Sequence, residues 1–157
     1  MKELQILHAK NCEEIILEIK KVLEETYGLK TDYSRILEPL DEAYNPRRDQ
    51  YDASILLRYL IQNKERDLAL WVIDKDLYCE NMNFIFGYAS IGQGAILSIY
   101  RLDSIGLIQK EAIHEIGHVM GLRHCKNDCV MQFSNSLAEA RLKPMTLCER
   151  CRGLLEN

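Results

Sequence analysis

Three histidines and one glutamate in the last third of the 157-residue chain have the spacing of a metal centre. His114-Glu115-Ile116-Gly117-His118 reads H-E-x-x-H, and Gly121 and His124 extend it to H-E-x-x-H-x-x-G-x-x-H. Residues four apart lie one above the other on a helix face, so His114 and His118 can reach one ion, while Glu115 is rotated by about 100° and can address a water bound there. A third ligand so close in sequence returns to the same ion only if the helix stops at once. Gly121 allows that stop, because glycine takes the left-handed conformation at low cost. His124 then closes a three-imidazole site whose fourth tetrahedral position stays open, the mark of a catalytic zinc. The chemistry that follows is metal-assisted hydrolysis of a peptide or amide bond, with Glu115 as general base and then general acid.

The cysteines point to a second ion. Four of six fall in the C-terminal 33 residues, as Cys125-x3-Cys129 and, 18 residues on, Cys148-x2-Cys151. Two close pairs at such a distance read as a four-thiolate site, and four thiolates saturate zinc and leave no room for substrate. That site is therefore expected to be structural, a staple for the C-terminal segment, and the expectation is two zinc ions per chain. The N-terminal residues lack the apolar centre of a secretion signal, which favours reduced thiols and a cytoplasmic setting. Cys12 and Cys79 have no partner at ligand spacing and are expected in the core, as is a hydrogen-bonded His8.

Elements must position these groups. Glu3 to His8 reads as a strand, Glu13 to Tyr27 as an amphipathic helix closed by Gly28, Thr31 to Leu37 as a weakly marked strand, and Tyr51 to Asn63 as a second helix. Leu68 to Ile73 is apolar on both faces, as a central parallel strand is. Asn83 to Ile91 and Ala95 to Leu102 read as a hairpin about Gly92-Gln93-Gly94, and a helix from about Leu107 to Met120 carries the histidines. The fold class is α/β (α+β), with a mixed twisted sheet and an antiparallel edge strand. One domain over residues 1–157 is expected, with the sheet in 1–106 and the zinc helix and cysteine segment in 107–157. A net charge of -4 without a basic stripe argues against nucleic acid, and the longest apolar run is too short for a membrane span.

The combination His114-Glu115-x-x-His118-x-x-Gly121-x-x-His124-Cys125, Cys129-x-Met131 and Cys148-x-x-Cys151 resembles the archaemetzincins, a family of metzincin-clan zinc peptidases. The spacers after Cys125 and after Met131 are each one residue shorter than the usual pattern of that family. The resemblance implies a compact metzincin-like fold, a Met-turn at Met131 beneath the catalytic zinc, and an edge strand, Phe84 to Ala89, that binds an extended peptide through Phe86, Gly87 and Tyr88. It implies a peptide or protein substrate and a monomeric enzyme. No tyrosine near Met131 can serve the oxyanion; Tyr33, Tyr88 and Tyr100 are the candidates from elsewhere. A zinc protein of the same fold that binds peptides with latent or absent proteolysis is the alternative reading.

Overall fold

The first strand, β1 (Glu3–His8), is buried from Leu4 onward, so it needs neighbours on both edges and cover on both faces. The computed structural model, which describes residues 2–156, shows how the chain supplies them. A 3₁₀ turn (Lys10–Ile15) leads into α1 (Ile16–Tyr27), which buries Ile16, Ile19, Val22 and Leu23 and stops at Gly28 with φ 66°. β2 (Lys30–Ile36) returns parallel to β1, Leu4 lying opposite Thr31. The chain next makes two short strands, β3 (Tyr44–Asn45) and β4 (Gln50–Asp52), before α2 (Ala53–Asn63), whose first turn is capped by the Asp52 carboxylate accepting from the Ser54 and Ile55 amides.

β5 (Leu68–Ile73) pairs with the other edge of β1 and is buried at all six positions. β6 (Leu77–Tyr78) joins β4 in a small sheet ordered β3-β4-β6. β7 (Gly87–Ser90) and β8 (Gly94–Ser98) form a hairpin that completes the main sheet, ordered β2-β1-β5-β8-β7, in which only the edge strand β7 is antiparallel. Gly94 has to be glycine, because a Cβ there would stand 2.6 Å from the Ala69 carbonyl oxygen on β5. The connection β1-α1-β2 runs one way across the sheet and β2-α2-β5 the other. Right-handed crossovers therefore put α1 and α2 on opposite faces. α2 packs on β5, β7 and β8, and its Tyr59 ring meets the fully buried Trp71. The third long helix, α3 (Ile105–Val119), lies against α1, where the Tyr27 hydroxyl donates to the Ile113 carbonyl at 2.6 Å. Two short helices follow, α4 (Leu137–Leu142) and α5 (Glu149–Leu155).

The mixed sheet, antiparallel edge and long histidine helix match the sequence reading, and several boundaries differ, among them that of the strand read from Ala95 to Leu102, which ends at Ser98. Residues 51–52, read as the start of the helix, are strand, because the Tyr51 amide donates to the Asp76 carbonyl in the small sheet. The helix read from Glu13 begins as the 3₁₀ turn. In the hairpin, Asn83 to Ile85 do not run along β8; Ile85 bridges Leu77 instead, and the edge strand begins only at Gly87, with the Phe86 carbonyl accepting from the Ser98 amide just before it. No helix among the described residues is long and apolar enough to cross a membrane.

Candidate metal centres and the adjoining cavity

α3 opens with the Ser104 hydroxyl accepting from the Leu107 amide and closes with a paired turn. The Leu122 amide reaches back to the Gly117 carbonyl at 2.8 Å and the Gly121 amide to the His118 carbonyl at 3.0 Å, with Gly121 at φ 102°. This is the Schellman arrangement, which satisfies carbonyls that the helix end would otherwise strand and turns the chain back toward its own last turn. It delivers His124 to His114 and His118, and the ligand nitrogens of the three lie within 4.8 Å of one another.

Hydrogen bonding fixes the rings. His114 Nδ1 donates to the Val130 carbonyl and His118 Nδ1 to the Leu122 carbonyl, each at 2.8 Å. A carbonyl only accepts, so both Nδ1 atoms carry the proton and both Nε2 atoms present lone pairs. Those two Nε2 atoms are 3.2 Å apart. Two facing lone pairs repel unless a cation lies between them, and a tetrahedral zinc with bonds of about 2.05 Å sets its nitrogens about 3.3 Å apart. The imidazoles thus fit zinc. Burial, reinforced by the Lys143 ammonium, holds His114 well below the usual histidine range, and burial also lowers His118 and His124, so all three favour the neutral form that a metal needs.

Met131 is fully buried under this helix turn. A Cβ on Gly117 would come within 2.4 Å of the Met131 sulfur, so the glycine inside H-E-x-x-H makes room for that side chain. Gly87 does the same for Glu115: a Cβ there would stand 2.6 Å from Glu115 Cγ, which puts the first residue of the edge strand directly on the glutamate. Burial, and next the Glu111 carboxylate, push the Glu115 carboxyl up to about 8, with Lys143 opposing. A dication within reach favours the ionised form and works in the same sense as Lys143.

Glu111 and Lys143 carried no signal in the sequence. Both are buried, and the Lys143 ammonium stands 3.0 Å from Glu111 Oε2 and 3.4 Å from His114 Nδ1, and donates to the Gln132 carbonyl at 3.2 Å. Glu111 Oε2 has no well-aligned hydrogen bond, so charge holds the pair.

The four cysteines also converge, as free thiols whose sulfurs lie within 4.8 Å of one another. Cys125 and Cys148 sulfurs are 3.8 Å apart, the edge of a tetrahedron with zinc–sulfur bonds of about 2.3 Å. Backbone amides of Met131 and Cys148 donate to the Cys129 sulfur, and the Cys151 amide and the Asn127 side chain donate to Cys148. Sulfurs that collect N–H donors are built to carry negative charge. The Cys151 amide leads in lowering the Cys148 thiol to about 6, whereas burial raises Cys129 and Cys151. The Cys125 amide donates to the Met131 carbonyl and the Val130 amide to the Thr146 carbonyl, so one loop serves both centres.

A cavity of about 460 Å³ opens beside the histidines. Glu115, Phe86, Gly87 and Tyr88 line it, as do Glu111, Phe84, Ile85 and Phe133. Of the tyrosines considered for the oxyanion, Tyr88 lines the cavity; Tyr33 and Tyr100 do not. His8 is buried and donates from Nδ1 to the Ala9 carbonyl, and Cys12 is in the core. Cys79 departs from expectation, since it is half-buried and forms part of the cavity wall.

Comparisons with known proteins agree with this arrangement. The family model described as Peptidase family M54 matches residues 5–157. An archaemetzincin of Nanoarchaeum equitans is 44% identical over 140 residues, which span 88% of this chain and 82% of that one. The crystal structure of an archaemetzincin from Archaeoglobus fulgidus, complexed with malonate, superposes with a TM-score of 0.89 at 34% identity, covering 96% of this chain and 98% of the other. That of an archaemetzincin from Methanopyrus kandleri gives 0.89 at 32%, covering 99% and 94%.

Proposed function

The chain belongs to peptidase family M54, the archaemetzincins, which makes it a zinc metallopeptidase, and from that premise we propose how its residues divide the work. His114, His118 and His124 hold the catalytic zinc; Cys125, Cys129, Cys148 and Cys151 hold a structural one, giving two zinc ions per chain. The observation that carries the assignment is the pair of Nε2 lone pairs facing each other at 3.2 Å with both Nδ1 protons committed to carbonyls. Bound by the imidazoles, zinc supplies a Lewis acid that polarises the scissile carbonyl and acidifies water.

Glu115 takes the proton of the attacking water and passes it to the departing amine. Burial of Glu115 against Gly87 removes competing solvent and fixes the carboxylate, so little reorganisation is needed when the proton moves. The unpaired edge of β7 offers main-chain groups to an extended peptide laid antiparallel along it, so that Phe86, Gly87 and Tyr88 bind backbone while the cavity receives a side chain. Met131 forms an apolar floor under the histidines. Tyr88, which lines the cavity where Tyr33 and Tyr100 do not, would assist the oxyanion. The substrate is a peptide or protein, the enzyme a monomer, and its setting the reducing cytoplasm, where four thiolates stay available to zinc.

Glu115→Gln keeps the shape of the side chain and removes the base. The variant is expected to retain both zinc ions and the melting temperature of the parent while peptide hydrolysis falls by about 10²–10⁴-fold or more. Hydrolysis at the parental rate in Glu115→Gln would refute the assignment. Peptide binding without turnover in the parent would favour the latent, peptide-binding reading.

A further inference from the structure

One wall of the cavity, residues 82–86, has no regular secondary structure apart from the single bridge of Ile85 to Leu77, yet it presents Met82, Phe84, Ile85 and Phe86 to the space beside the histidines. Polar side chains in and around the small sheet, with Arg101 from beyond β8, hold this apolar loop. Arg48 donates through Nη2 to the Met82 carbonyl at 2.8 Å and the Asn83 carbonyl at 3.2 Å, and through Nε to Gln50 Oε1 at 2.8 Å. Gln50 donates to the same Asn83 carbonyl at 2.8 Å and to Asp76 Oδ2 at 2.9 Å. Arg101 grips both Asp76 oxygens at 2.8 Å each. Its guanidinium lies 4.0 Å from the centre of the Phe84 ring, which in turn meets Phe86 edge-on.

Gln50 and Asp76 are both more than nine-tenths buried, while Arg48 and Arg101 are exposed, so the network has a buried polar centre closed at the surface by two guanidiniums. Burial raises the Asp76 carboxyl, but the Arg101 and Gln50 hydrogen bonds outweigh it and leave it below its ordinary range. The planar guanidinium matters at both arginines. At Arg101 it makes a two-pronged carboxylate contact and a ring stack at once, which an ammonium cannot do.

We propose that Arg48, Gln50, Asp76 and Arg101 are positioning residues that fix the 82–86 wall, and that the fixed wall selects peptides bearing a bulky apolar side chain, aromatic or large aliphatic. The inference rests on the peptidase reading above. It follows from the lining: three aromatic rings, Phe84, Phe86 and Phe133, surround the space, and the main-chain carbonyls of residues 82 and 83 are turned away into the clamp rather than offered to a ligand. An apolar pocket discriminates by shape, so a wall free to relax loses that discrimination first.

The test uses the zinc-loaded enzyme and two fluorogenic peptides that differ only by Phe or Ala at the position entering the cavity. Arg48→Ala and Asp76→Asn are expected to lower the Phe-to-Ala ratio of kcat/KM by about tenfold, chiefly through KM for the Phe peptide, with zinc content unchanged. Arg101→Lys keeps the charge and loses the stack, and should fall between parent and Asp76→Asn. The same labelled peptides on a Glu115→Gln background, which leaves them uncut, give the preference as a ratio of Kd. A Phe preference in the parent that survives in Arg48→Ala and Asp76→Asn, or a loss equal for both peptides, would overturn the clamp alone. A parent that neither binds nor cuts either peptide would overturn the peptidase reading, and the clamp with it.

Discussion

Around His114 two carboxylates, Glu111 and Glu115, and two ammoniums, Lys110 and Lys143, are buried, and Lys143 is the member on which the balance depends. It lies 3.0 Å from Glu111 with both side chains almost fully enclosed, so neither charge has water to fall back on. Removing one partner of such a pair strands the other, at a cost of about 3–5 kcal/mol. Lys143→Met should therefore lower the unfolding free energy of the zinc-loaded protein by that amount, read from denaturant midpoints at constant slope, and Glu111→Gln with Lys143→Met should recover much of it. A loss under about 1 kcal/mol would mean that water reaches the pair. Nothing in the sequence joins these two residues. They are 32 positions apart, and each reads as a solvated charge on a helix face or in a loop. The candidate site residues were legible for the opposite reason: His114, Glu115 and His118 are placed by the helix that contains them, and spacing alone states their geometry. Gly87 was named as a substrate contact, but its service to Glu115, a missing Cβ where the glutamate sits, depends on a sheet edge meeting a helix and could not be read from order in the chain.

At the scale of elements, the turn after α3 decides whether the third histidine arrives. Gly121 has φ 102° and open space around its Cα, so a side chain there meets no neighbour and suffers only from the backbone conformation. Gly121→Ala should cost about 1–2 kcal/mol and hasten loss of the first zinc to a chelator, while Gly121→Asn, which tolerates left-handed backbone, should cost less. Equal effects from the two would show that volume rather than conformation matters. Lys110 braces the same region by donating to the Ala140 and Arg141 carbonyls at the end of α4, which ties the histidine helix to the segment leading to the cysteines. Helix α3, β1, β5 and the hairpin were legible because their apolar periodicity is strong. The 82–86 wall was not. Phe84, Phe86 and Tyr88 alternate as in a strand, whereas the Leu77 bridge and the contacts of Arg48, Gln50 and Arg101 with residues 82–84 hold the segment beside the cavity.

Across the whole molecule, the two proposed zinc sites, of opposite local effect, are joined by one peptide bond, between His124 and Cys125. Three neutral imidazoles would leave the charge of a first zinc uncompensated at the cavity, and four thiolates would more than compensate a second, so the formal charge of -4 would be the same with both ions as with neither. The four-cysteine cluster and the loop through Val130 and Met131 connect to the imidazoles proposed to hold the catalytic zinc: the Val130 carbonyl orients His114, and the Cys125 amide is anchored on Met131. An open three-ligand site exchanges with solvent and a closed four-thiolate site does not, so the two should differ greatly in lability. The most direct test is the zinc content per chain, measured by elemental analysis before and after brief exposure to a mild chelator, with peptide hydrolysis followed in the same samples. Two zinc ions at the start, one lost quickly together with all activity and the other retained with the fold, is the expected result. A single zinc per chain at the start, or loss of the labile ion without loss of activity, would contradict it.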